Sequence, residues 1–149
     1  MSEAFGGFAE KLLAARPEHA VVRLFVPSAR RDFVTAFEAL VLELEQASRL
    51  DEPSVAAAKL HWWGGELDRA RGGEARHPLT QVLFPTARPD LDARLPGAIV
   101  AATLARLERE GEADFARQLA ALESLHAPLA AFGDALLHRP ADPAHARLR

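Results

Sequence analysis

The sequence contains no cysteine, which excludes disulfide bridges, thiolate zinc sites, iron–sulfur clusters and cysteine nucleophiles. A reducing compartment suits this absence, and we expect the protein to be cytoplasmic. The longest apolar stretch, residues 34–44, is interrupted by Glu38 and Glu43, so no membrane span is expected. Glu3 and Glu10 near the N-terminus do not suit an export signal.

Familiar catalytic and cofactor motifs are also missing. There is no GxSxG nucleophile motif, no phosphate-binding P-loop and no dinucleotide-binding GxGxxG. None of the six histidines has another histidine four residues away, and HExxH is absent. The net charge of -3 argues against a surface for nucleic acid. We therefore expect no metal site, no cofactor and no nucleic-acid partner.

The sequence is rich in apolar residues, 49% of 149, which suffices for one folded core. Proline and glycine divide it into helical pieces, and no stretch has the alternation typical of strands. We predict an all-α bundle of about six helices, with one domain over 1–139 and a flexible tail over 140–149. The predicted helices cover 18–25, 27–48, 51–73, 78–84, 96–110 and 113–138; Pro128 should kink or split the last, and residues 1–16 are a weaker helical candidate.

The densest cluster of unusual residues lies in the helix predicted over 51–73. At about 100° per residue, five of its side chains share one face: Ala56, Leu60, Trp63, Leu67 and Ala70. Lys59 and Glu66 lie within about 60° of Trp63, on the side of Trp62, and so point toward the bundle. Core packing alone explains two neighbouring tryptophans, but a half-buried Lys59 or Glu66 requires a partner or a cavity.

Residues 22–83 resemble the N-terminal part of the squalene and phytoene synthase family, including relatives that are not known as synthases. The resemblance covers a little over 60 of the 149 residues. Its carriers are Leu24-Phe25-Val26-Pro27, Arg31, Ala36-Phe37, the run 58–67 (AKLHWWGGEL), Gly73 and His77-Pro78-Leu79. The resemblance implies part of the isoprenoid synthase fold. Active members of the family join two prenyl diphosphates and use Mg²⁺ held by two aspartate-rich motifs.

This sequence departs from that family pattern at the metal-binding positions. The first aspartate-rich motif should fall on residues 44–48, where only Glu45 is a carboxylate, and the second has no clear counterpart. We therefore interpret the chain as a truncated, non-catalytic member that binds a prenyl ligand or a protein partner. Glu45, Lys59, Trp62, Trp63 and Glu66 are the predicted lining of its ligand cavity. A half-length bundle exposes apolar surface, so we predict a homodimer and allow peripheral membrane contact.

Two other interpretations remain open. The first is a Mg²⁺-dependent prenyltransferase whose atypical metal site uses Glu43, Glu45, Asp51 and Glu52. On an ideal helix Glu43 lies about 120° from the apolar centre and points to solvent, which weighs against this interpretation. The second is a small helical adaptor that has no relation to isoprenoids.

Overall fold

The computed structural model describes residues 3–107 and 115–137. Within this part of the chain there are seven α-helices and no strand, which confirms the all-α prediction. One 3₁₀ turn, Ser28–Arg30, precedes the third helix. The helices are α1 (Glu3–Ala15), α2 (His19–Phe25), α3 (Arg31–Ala47), α4 (Pro53–Arg71), α5 (Pro78–Leu83), α6 (Leu95–Leu107) and α7 (Phe115–Leu137). The predicted tail over 140–149 lies outside the described residues.

Proline and glycine set the helix limits as the sequence predicted. Pro53 and Pro78 stand in the first turns of α4 and α5, where a missing amide hydrogen costs nothing. Beyond α4, Gly73 has a φ of +91°, a left-handed conformation that favours glycine. Pro128 lies inside α7 without splitting it. The apolar face beyond this proline is buried, and its packing offsets the lost backbone hydrogen bond.

The N-terminal segment is a full helix, although its sequence made it the weaker candidate. Phe5, Ala9 and Leu12 of α1 are buried at helical spacing. Gly6 and Gly7 weaken the local helix preference, but burial of this apolar stripe against α3 offsets their cost. This helix brings the seventh element to a bundle that the sequence predicted to have about six.

The centre of the bundle is α3, which packs on α1, α4 and α5. Every residue from Ala39 to Leu44 is buried, so α3 has neighbours on several sides rather than one apolar stripe. On the other side α4 packs on α6, and α6 packs on α7. The core consists mainly of leucine, alanine and phenylalanine around Trp63.

Arg88 connects the loop after α5 to the end of α7. Its Nη2 donates to the carbonyl oxygen of Ala135 at 2.9 Å and its Nη1 to that of Leu136 at 3.4 Å. The same guanidinium pairs with Asp90 at 2.9 Å. Carbonyl groups at a helix end lack partners within the helix, so Arg88 acts as a cap for α7.

Among the described residues no helix is both long and apolar enough to cross a bilayer.

Candidate functional site

The helical-wheel prediction for α4 is confirmed. Its five predicted face residues are all buried, and Trp63 is 1% exposed. Trp62, one position away, is 48% exposed, so the two tryptophans have different surroundings. Because successive residues of a helix are about 100° apart, the indole of Trp62 points out of the core when that of Trp63 points in. The two rings contact each other edge to face.

Three aromatic rings, from α1 and α4, contact the imidazole of His77 in the turn before α5. The imidazole centroid lies 4.8 Å from that of Phe8 on α1, 4.7 Å from Trp63 and 5.9 Å from Trp62. The Nε1 of Trp63 is buried and has no hydrogen-bond partner among the described residues, so packing alone holds this ring. The cluster joins α1 and α4 to the turn before α5.

His77 is the N-cap of α5 and stands directly before the helix that the sequence predicted over 78–84. Its Nδ1 accepts a hydrogen bond from the amide of Leu79 at 3.2 Å, which satisfies one free donor of the helix start. Burial lowers the pKa of His77, although the carboxylates of Glu66 and Glu43 oppose this effect. Because Nδ1 is an acceptor here, the neutral imidazole carries its proton on Nε2.

Glu66 is fully buried, with an exposure of 0%, and all its hydrogen bonds are internal. Its Oε1 accepts from the amides of Arg76 and His77, both at 2.8 Å, and from Thr80 Oγ1 at 2.6 Å. Its Oε2 accepts from Arg69 Nη2 at 2.8 Å. Burial alone would raise the pKa of Glu66, but these hydrogen bonds outweigh it and lower the pKa to about 2. This carboxylate joins α4 to α5 and has no free face for a ligand.

Glu43 corrects a prediction, since the sequence placed it toward solvent and the structure buries it. The residue is 6% exposed and forms ion pairs with Lys11 of α1 and, at 3.4 Å, with Lys59 of α4. Burial alone would raise the pKa of Glu43, but the two lysines together outweigh this effect, so the net shift of the pKa is downward. The ideal wheel was misleading because α3 is covered on several sides, and α1 supplies a cation there.

Glu45 lies in a separate ion-pair group. Its Oε2 accepts from Arg16 Nη2 at 2.7 Å and lies 4.0 Å from Arg49 Nη2. Arg16 also approaches Glu38, at 3.6 Å. The five predicted lining residues are therefore not brought to one cavity. Lys59 joins Glu43, the tryptophans and Glu66 surround His77, and Glu45 faces α1.

These carboxylates do not fit a magnesium cluster. Glu43 and Glu45 already contact two basic side chains each, and a hard cation would have to displace them. Asp51 and Glu52 are exposed beyond the end of α3, where Glu52 accepts a hydrogen bond from Ser54 at 2.9 Å. In the described part of the chain no group of three or more potential metal ligands comes together.

Two of the open grooves that the described residues form lie away from these side chains. One, of about 470 Å³, lies between the start of α3, α5 and the end of α7, with Arg30, Asp32 and Arg88 in its lining beside apolar side chains. Its other lining residues include Phe33, Val82, Leu83, Leu136 and Leu137. The second groove, of about 640 Å³, lies between α4 and α6 over Gly64, Gly65 and Gly97. The predicted lining residues do not belong to either groove.

Sequence reasoning missed the contribution of α1 to this region. Phe8, Lys11 and Arg16 supply one ring and two cations to residues that lie more than 25 positions further along the chain. The apolar spacing of Phe5, Ala9 and Leu12 was the available signal, since it predicts a helix with one buried face.

Comparisons with protein-family models, with curated proteins and with solved structures gave no match.

Proposed function

We propose that this chain is a squalene/phytoene synthase-like protein that does not catalyse prenyl condensation and acts by binding a prenyl ligand. The observation that carries the non-catalytic part is the pairing of Glu43 and Glu45 with lysine and arginine side chains. Condensation of prenyl diphosphates needs divalent cations to neutralise the departing diphosphate. Lysine and arginine side chains pair with the carboxylates that would have held those metals, so a divalent cation would have to displace them.

The groove of about 470 Å³ supports the choice of ligand. Its volume lies within the range of small-molecule sites, and its lining combines aliphatic and aromatic side chains with Arg30, Arg88 and the acidic Asp32. Arg30 in the lining is exposed and has no ion pair with a described residue, so it is available to an anionic head group. The apolar side chains of this groove suit a prenyl chain, and the guanidinium of Arg30 suits a phosphate at the end of that chain.

The test is thermal unfolding of the full chain with farnesyl and geranylgeranyl diphosphate, with and without Mg²⁺, beside a diphosphate-release assay. We expect each ligand to raise the Tm by a few degrees without Mg²⁺, with no diphosphate released. Val82→Trp fills the groove wall and should abolish the shift. Val55→Trp, at a site 53% exposed on α4, is the matched control and should keep it. A Mg²⁺-dependent shift or any turnover would contradict the proposal.

A protein-binding adaptor is the second candidate. It is favoured by the closure of the predicted cavity, since Trp63 and Glu66 have exposures of only 1% and 0%. Core packing of Trp63 and the internal hydrogen bonds of Glu66 are enough to explain these two residues without a prenyl ligand between them. Absence of any prenyl-dependent shift, in a sample that unfolds cooperatively, would favour this candidate over the first.

A further inference from the structure

The short helix α2 exposes its apolar side chains to solvent, unlike an ordinary surface helix. Val21, Val22, Leu24 and Phe25 are 58%, 44%, 73% and 84% exposed, and α2 has no buried residue. Half of the eight exposed large hydrophobic residues in the described part of the chain therefore lie on this one helix. Surface helices normally place such residues against the core.

The polar side of α2 faces the bundle instead. On a wheel of about 100° per residue, His19 and Arg23 lie roughly opposite the mean direction of Val21, Leu24 and Phe25. The side chain of His19 is 14% exposed and its Nε2 lies 3.8 Å from Glu38 Oε2 on α3. Arg23 is half-buried. The contact with Glu38 places the His19 side of α2 against α3.

The chain on each side of α2 holds it in this orientation. Pro17 precedes the helix and Pro27 follows it, and Val26 is extended. The Nε of Arg31 donates to the carbonyl oxygen of Val26 at 3.0 Å, which fastens the outgoing turn to the start of α3. Leu24 and Phe25 are thus presented at the end of a braced helix.

Charge and area decide which partner suits this face, here called the α2 face (Val21, Val22, Leu24 and Phe25). Arg30 and Arg31 follow the end of α2 that carries Leu24 and Phe25, in a protein whose net charge is -3. The acids nearby are Glu18 at the other end of α2 and Asp32 at the start of α3. The exposed apolar area is roughly 450 Å², about half of what each partner buries in a stable protein–protein interface. A second copy would therefore be held weakly. An anionic bilayer accepts a small apolar element flanked by arginine.

We propose that the α2 face is a membrane-contact element that inserts Leu24 and Phe25 into the interfacial region of an anionic lipid bilayer. Arg30 and Arg31 follow the helix just after Leu24 and Phe25 and attract the acidic head groups, whereas Arg23 lies on the side that faces the bundle. The helix lies on the membrane and does not cross it, since seven residues span only about 10 Å. This inference does not depend on the proposed prenyl ligand.

Vesicle co-sedimentation of the full chain tests the proposal. The probes are vesicles of phosphatidylcholine alone and of phosphatidylcholine with phosphatidylglycerol at about 3:1. We expect binding to the anionic vesicles, and weaker binding when salt rises from about 0.1 to 0.5 M. Leu24→Ser and Phe25→Ser should each weaken binding about tenfold, because the inserted apolar area is lost.

Val55→Ser is the matched control, since Val55 is 53% exposed on α4 and should leave binding unchanged. All variants change exposed side chains, and circular dichroism with the Tm checks that each folds like the parent. Failure to bind either vesicle would overturn the proposal, as would an equal loss in the control. Light scattering that shows a dimer, converted to monomer by Leu24→Ser, would assign the α2 face to a second copy instead.

Discussion

Replacing Glu66 by glutamine tests the buried carboxylate that joins α4 to α5. The change keeps the shape and leaves one carbonyl oxygen for the three donors that meet Oε1. The new amide must then face the guanidinium of Arg69, so one charge-assisted bond becomes a contact between two donors. Since Glu66 is fully buried, water cannot replace the lost acceptor.

The size of the effect follows from the pKa of Glu66. A decrease from 4.5 to about 2 on folding corresponds to roughly 3 kcal/mol of stability at neutral pH. This contribution is fully present above about pH 4.5, the unfolded value, and is lost as the pH falls toward 2. We expect Glu66→Gln to lower the free energy of unfolding by about 2–3 kcal/mol at pH 7.

Urea unfolding, followed by tryptophan fluorescence at pH 7, 5 and 3, measures the difference. The parent protein should lose stability on acidification while the glutamine variant changes less, so their free energies of unfolding converge. Asp68→Asn is the matched control on the same helix. Its side chain is 61% exposed and, within the described part of the chain, forms an ion pair with Arg71 alone, so a change below about 0.5 kcal/mol is expected. Equal stability of parent and Glu66→Gln at pH 7 would refute the reasoning.

The remaining predictions concern packing and capping, and thermal or urea unfolding measures each. Trp63→Ala should cost about 3–5 kcal/mol and Trp62→Ala about 1 kcal/mol, because only the first ring is fully buried; equal costs would contradict the packing. Gly64→Ala should destabilise by about 1 kcal/mol, since its new Cβ would lie 2.9 Å from a valine of α6, whereas Gly65→Ala, with room for a methyl group, should gain about 0.5 kcal/mol. Arg88→Met should cost about 1–2 kcal/mol by uncapping α7, and an unchanged Tm would exclude that role.

The helix limits and the buried face of α4 could be predicted because they depend on local rules. Pro53 and Gly73 act within one turn of their own position, and the spacing from Ala56 to Ala70 repeats with the helix. The same rules predicted that α5 begins at Pro78, because a proline in the first turn has no amide hydrogen to leave unpaired. No knowledge of the neighbouring helices was needed.

Glu43 shows where local rules end. Its wheel position predicted solvent, but burial depends on which helices cover α3, and its cation comes from a residue 32 positions earlier in the chain. α2 differs from its pattern for the same reason. Its apolar residues share one side of the helix as core residues would, yet they are exposed, while His19 lies against α3.

The sequence alone determined that the chain is all-α, where proline and glycine interrupt its helices, and which face of α4 is buried, since these follow from contacts within a few residues. Only the tertiary structure decided that Glu43 and Glu45 of α3 form ion pairs with lysine and arginine side chains, and that the hydrogen bonds of Glu66 are all internal. It also decided that the apolar side of α2 faces solvent. Each of these depends on helices far apart in the chain, and their packing order follows from the total burial of the bundle rather than from any one segment.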